Sequence, residues 1–138
     1  MTGLLEVPPD WVTLRAETPD GLPVVVLVDR AIVTTAPYEV FTLQVALAVP
    51  LGDTRDGLPA ETDKEGLRTL EQGMVDLAAG EARLVAVMTL EGIREWVFYA
   101  RTTEWCRPFV EAGLSVRYLE DPTFSGLLEL AGLPGPTG

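Results

Sequence analysis

Val40-Phe41-Thr42-Leu43-Gln44-Val45-Ala46-Leu47-Ala48-Val49-Pro50-Leu51 is the stretch on which the fold turns. Phe41, Leu43, Val45, Leu47 and Val49 fall on one face and Thr42, Gln44, Ala46 and Ala48 on the other, the period of two that a strand imposes. One face is core and the other is small or polar. Toward the C-terminus the period changes: Leu67, Leu70, Met74 and Leu77 recur at helical steps. Thr62 and Glu65 have the spacing of a capping box, Asp63 and Glu65 suit the helix dipole, and Gly80 stands where a helix-ending glycine belongs. Arg83 to Leu90 and Ile93 to Arg101 are apolar, rich in Val and aromatics, and separated only by Glu91 and Gly92, which predicts a tight hairpin. Thr103 to Ala112 predicts a shorter helix with Trp105, Phe109 and Ala112 on one stripe and a late start or kink at Pro108. Leu114 to Leu119 follows as a last strand, and Phe124 to Ala131 as a final turn or two of helix.

The order from Val40 is strand, helix, strand, strand, helix, strand, the split βαβ arrangement of ferredoxin-like domains. Right-handed crossovers place both helices on one face of an antiparallel sheet whose central strands are those of Val40 and Ile93. Outward in the other direction, Trp11 to Thr18 alternates with Val12, Leu14 and Ala16 on one side. Thr18-Pro19-Asp20-Gly21 then turns the chain back into Val24 to Val28. Asp29 to Tyr38 carries no period and stops at Pro37. The expected fold class is therefore α+β: a ferredoxin-like βαββαβ antiparallel sheet with helices on one face, plus an N-terminal β-hairpin. Unless that hairpin folds over it, the sheet face away from the helices is open. Residues 1–132 read as one domain and 133–138, with Pro134, Gly135, Pro136 and Gly138, as a flexible tail.

Composition bounds the chemistry. The 138 residues carry 10 Lys plus Arg against 21 Asp plus Glu, a net charge of −11, and 47% of them are apolar, enough for one compact core. There is no His and no Asn, and Cys106 is the one cysteine, which excludes imidazole bases, His/Cys zinc sites and disulfides within the chain. Ser115 and Ser125 lack a nucleophile-elbow context. No apolar run reaches the roughly 18 to 20 residues of a membrane span, and the N-terminal stretch lacks the basic start and apolar core of a secretory signal. The expected location is the cytoplasm, with no membrane partner and no cofactor. Aromatics on a central strand are a feature of RNA-binding sheets, but a −11 chain with a single Lys repels phosphate, so no nucleic-acid partner is expected.

Asp56-Gly57-Leu58-Pro59, Glu61, the helix with Leu70 and Glu71, then Thr89, Gly92, Arg94, Glu95, Phe98, Tyr99, Trp105 and Glu120-Asp121-Pro122 form an ordered set. Taken together, their order and spacing resemble the bacterial family catalogued as domain of unknown function 695, from Trp11 to about Leu128. That family has no established activity, so the resemblance implies the fold and the order of elements. In architecture and acidity alone, the chain is similar to the regulator of ribonuclease activity B family, protein regulators that inhibit a bacterial endoribonuclease by binding it.

Several residues invite a functional reading beside a structural one. Arg94 points the same way as Trp96 and Phe98, and opposite to Glu95 and Tyr99, so these cannot share one pocket. Arg94 or Arg101 pairing with a carboxylate, with Tyr99 donating its hydroxyl, is the structural account. A partner-binding surface formed by Gln44, Arg94, Trp96 and Phe98 on the open face is the functional one. Asp-Gly-Leu-Pro occurs at Asp20 to Pro23 and again at Asp56 to Pro59, as turn chemistry in both places. The second copy, with Asp56, Gly57, Pro59 and Glu61, is a candidate loop site, and the alternative function is a carboxylate-based, metal-dependent hydrolase centred there. Glu120 and Asp121 read as a turn cap and Cys106 as a buried thiol. The favoured function is an acidic module that binds a basic protein partner without catalysis, with a homodimer as a further form.

Overall fold

A computed structural model describes residues 8–35, 41–51, 64–121 and 124–127. It is an α+β fold built on one six-stranded sheet in which every neighbouring pair is antiparallel. The strands are β1 (Trp11–Glu17), β2 (Pro23–Asp29), β3 (Leu43–Pro50), β4 (Ala82–Leu90), β5 (Ile93–Ala100) and β6 (Ser115–Glu120), and their spatial order is β1-β2-β4-β5-β3-β6. The helices are α1 (Arg30–Thr35), α2 (Lys64–Leu77) and α3 (Arg107–Glu111), the last entered through a 3-10 turn at Glu104–Cys106. Pro108 sits in the first turn of α3, where its missing N–H is harmless.

The turns follow from local chemistry. Gly21 takes a φ of +84°, and the β1–β2 reversal closes with Thr18 and Leu22 exchanging hydrogen bonds. Glu91 and Gly92 both have positive φ, the geometry a two-residue hairpin needs to match the strand twist. Gly80, at φ +82°, ends the turn that leaves α2.

Register assigns the faces. Val45 lies opposite Phe98, Leu47 opposite Trp96, and Trp96 opposite Val87, so these share the face on which Leu67, Met74 and Ala78 of α2 and its flank, with Trp105, Cys106 and Phe109, complete one core. Leu77, expected on the α2 stripe, is exposed, because Ala78, one residue on and after the helix proper, faces the sheet instead.

The opposite face is not open. A second core lies there: Leu14, Val26, Val28, Val85, Ala86, Val97 and Tyr99 from the sheet are covered by Ile32 of α1 and by Phe41, Phe124 and Leu127. The N-terminal hairpin does not fold over either face; it extends the sheet in register, with β2 pairing to β4. The Asp29 to Tyr38 stretch, expected to be irregular, contains α1. Its start is fixed by Asp29, whose Oδ1 accepts the Ala31 N–H at 3.2 Å, a side-chain cap on a segment too short and β-branched to show a helical period.

Candidate functional site

Six strands about 4.8 Å apart span about 24 Å between the outermost axes, whereas a helix with its side chains is about 10 Å wide. Among the described residues, two helical elements therefore leave part of the helix-bearing face uncovered, and the added hairpin carries the sheet out beyond α2. The uncovered strip is a groove of about 650 Å³. Leu27, Leu84, Val87 and Phe98 line it from the sheet, Val75 and Ala79 from α2 and its flank, and Pro9 and Trp11 from the start of β1. Trp11 is 41% exposed and Val75 40%, so two large apolar side chains of the lining stand half in water. Its size is that of pockets that hold small molecules or side-chain anchors.

The polar groups of the groove are already engaged. Asp29 is fully buried; its Oδ2 takes Arg83 Nη2 at 2.6 Å, while its Oδ1 accepts the N–H of Asp10 at 2.9 Å as well as that of Ala31. Buried charge is tolerated there because a cation and two amide donors replace water. Glu71, reaching from α2, accepts the indole N–H of Trp96 at 2.9 Å. On the same sheet face Arg94 donates from Nε to Thr89 Oγ1 at 3.1 Å; burial pulls its pKa down, opposed by the nearby Glu71 carboxylate.

A second polar cluster lies on the other face. Tyr99 donates its hydroxyl to Asp121 Oδ2 at 2.6 Å and accepts from Gln44 Nε2 at 3.1 Å and from the Leu127 N–H at 3.2 Å. Asp121 also accepts the N–H groups of Ser125 and Gly126, each at 2.9 Å, and the Ser125 hydroxyl at 2.7 Å. Burial alone would raise the Asp121 pKa, but these donors outweigh it and hold the carboxyl below the usual range. Tyr99 moves the other way, pushed up by burial and by its anionic partner. Phe124 stacks on the Tyr99 ring at 3.9 Å between centroids, and a Cβ on Gly126 would run into the Gln44 amide. The cluster clamps residues 124–127 onto the sheet.

The structure separates the residues expected to form one partner surface. Trp96 and Phe98 are fully buried beneath the helices, and Arg94 shares their face. Gln44 lies opposite Tyr99 on the other side of the sheet and belongs to the Asp121 cluster. An exposed sheet face carrying all four is therefore corrected; of the four, Phe98 alone reaches the groove, as part of its lining. Asp56, Gly57, Pro59 and Glu61 lie outside the described residues. Asp121 is a cap, and Cys106 is a buried thiol whose pKa burial pushes up to about 12. Arg101 pairs with Glu81 at 3.3 Å, whereas Arg94 hydrogen-bonds a threonine.

Sequence reasoning missed the groove and its Trp11, Val75, Asp29 and Arg83. The signal was available in outline: a hairpin added to a four-stranded sheet widens it past what two helices cover.

Among the described residues, no helix is long and apolar enough to cross a membrane, and no group of three or more metal-ligating side chains could hold an ion. No curated protein and no solved structure matches the chain. The family of unknown function DUF695 does match, over residues 9–118, a span that holds the sheet from β1 to most of β6, the whole groove lining and Arg94. The chain therefore belongs to the DUF695 family.

Proposed function

We propose that this chain is a non-catalytic, acidic module that binds another protein in the cytoplasm, and that the groove beside α2 is where it does so. The observation that carries this reading is the lining itself: a mostly apolar trough with Trp11 and Val75 half exposed on it, in a chain of net charge −11. The acidity steers encounter toward basic partners, and the apolar lining holds what arrives. A non-catalytic role is supported by the occupation of the reactive side chains. Cys106 is buried with a raised pKa, the Ser125 hydroxyl donates to Asp121, and Asp121 caps a helical turn. In fold terms, the β4-β5-β3-β6 order with α2 and α3 sharing one core supports a ferredoxin-like unit with the β1–β2 hairpin added at its edge.

A photo-crosslinking residue placed at position 75 in the native host tests the reading, with position 93, equally exposed but outside the groove, as control. A protein adduct at 75 and none at 93 is expected. Equal adducts at both positions, or none at 75, would overturn it.

One observation favours self-association as a second reading. β6 is an edge strand, and Tyr118 and Leu119 on it are 50% and 58% exposed. Sedimentation of the wild type beside Leu119→Lys distinguishes a dimer through that edge from a monomer.

A further inference from the structure

We infer that the groove receives a single amphipathic helix from a different protein, apolar on the stripe it buries and carrying Lys or Arg on its flanks. This rests on the protein-binding reading above and narrows it to one kind of occupant.

The first argument is backbone hydrogen bonding. Of the strands that line the groove, β2, β4 and β5 are each paired on both sides, and β1 pairs with β2 on its inner side. The floor of the groove therefore offers no free ladder, and the one unpaired edge, that of β1, points away from it. An extended segment lying on that face would find no ladder to join and would leave its own N–H and C=O groups without partners against apolar side chains. A helix satisfies its backbone internally and needs only a groove for its side chains. The second is width. With α2 and the 3-10 turn and α3 already on this face, the strip left by the hairpin is the place of one more helix at the usual spacing of about 8 to 10 Å between axes.

Charge selects the partner. The lining holds Asp29, Glu71 and Arg83, and Arg83 is tied to Asp29, in a chain that carries 21 acidic side chains against 10 basic ones. A helix with cationic flanks is attracted to that field, whereas a second copy of the chain brings another −11. A second copy also has no spare stripe on α2, since Leu67 and Met74 already face its own core. A small polar ligand is disfavoured because the Asp29, Arg83 and Glu71 side chains each have a protein partner.

The probe is a labelled 14-residue peptide of Leu and Lys ordered to give one apolar helical stripe. It is compared with a scrambled peptide of the same composition and with a copy interrupted by two central prolines, by fluorescence anisotropy against the full chain. The striped peptide is expected to bind at least about tenfold more tightly than the other two, and Trp11→Thr to weaken it by about tenfold while Ile93→Thr leaves it unchanged. Both positions are exposed, so both variants keep the fold; circular dichroism of each checks that. Equal binding of the scramble would reduce the effect to bulk charge and overturn the inference, as would equal binding of the proline-interrupted peptide or no effect of Trp11→Thr. A concentration-dependent dimer that Trp11→Thr dissolves would assign the groove to a second copy and also overturn it. If the striped peptide fails while position 75 still crosslinks a protein, the helical occupant is wrong and the protein-binding reading stands. If position 75 captures nothing either, both fall.

Discussion

Asp29 and Asp121 are two buried aspartates that use the same device to different ends. Each sits at the end of a strand and accepts backbone N–H from the helical turn that follows it, Ala31 for Asp29 and Ser125 and Gly126 for Asp121, and so fastens that turn to the sheet face away from α2. Asp121 is served by neutral donors and lies among side chains that shut it in. Asp29 has a guanidinium at 2.6 Å and contributes to the wall of the groove on the helix-bearing side. Capping by a carboxylate thus closes one region completely, while in the other it also sets the polar end of an otherwise apolar trough. Closure marks structure, and the strip that the described helices leave open is the surface on which the proposed partner would dock.

The largest effect expected from breaking this pair is at Asp29. Asp29→Ala strips the cap from α1 and removes the buried carboxylate that holds Arg83 at 2.6 Å and accepts the Asp10 N–H. Urea unfolding should show a loss of about 3 to 5 kcal/mol; a loss below about 1 kcal/mol would mean that water replaces the carboxylate freely.

Asp121→Asn should cost less, about 1 to 3 kcal/mol at neutral pH, because one oxygen still accepts its donors while the other gives way to an NH2 group that faces a backbone N–H, and the charge that strengthened all these bonds is gone. The pH dependence sharpens the contrast. Since folding holds the Asp121 pKa below its ordinary value, its contribution is fully present above the unfolded value of about 3.9 and is lost as pH falls through the lower, folded value. The stability gap between wild type and Asp121→Asn should therefore shrink below about pH 4. A gap that widened on acidification would contradict the assignment.

The smallest effect belongs to the groove. Val75→Gln replaces an exposed β-branched residue of α2 by a better helix former and should move stability by no more than about 0.5 kcal/mol. A loss of 2 kcal/mol or more in thermal or urea unfolding would show that the groove is closed by the chain itself and is part of its core.

Much of this architecture was readable from residue order. The alternation in Leu43–Pro50 and in the β4–β5 hairpin survives in the register, and so does the separation of Arg94, Trp96 and Phe98 from Glu95 and Tyr99. What one sequence could not supply was which parity faces the helices. A shift of one residue in strand register exchanges the two faces, and it is the register of β5 with β3 and β4 that puts Trp96 and Phe98 under α2. α1 escaped notice because Arg30–Thr35 is six residues long and is specified by an aspartate cap and by the burial of Ile32, neither of which is a periodic signal. The groove escaped because it arises from the difference between sheet width and helix width, a property of the assembled sheet. Asp121 was legible as a cap; its partner Tyr99, 22 residues earlier in the chain, and the Gln44 that donates to Tyr99 in turn, 77 residues earlier, were not.

The central claim is that the strip beside α2 binds and the opposite face does not. Amide chemical-shift mapping of the isotope-labelled chain, titrated with the striped Leu and Lys peptide at physiological salt, tests it most directly. The account predicts shifts concentrated at Leu27, Ala79, Gly80 and Leu84, with Tyr99, Asp121 and Gly126 unmoved. Shifts centred on β6 or on residues 124–127, or spread evenly over the exposed carboxylates, would contradict it.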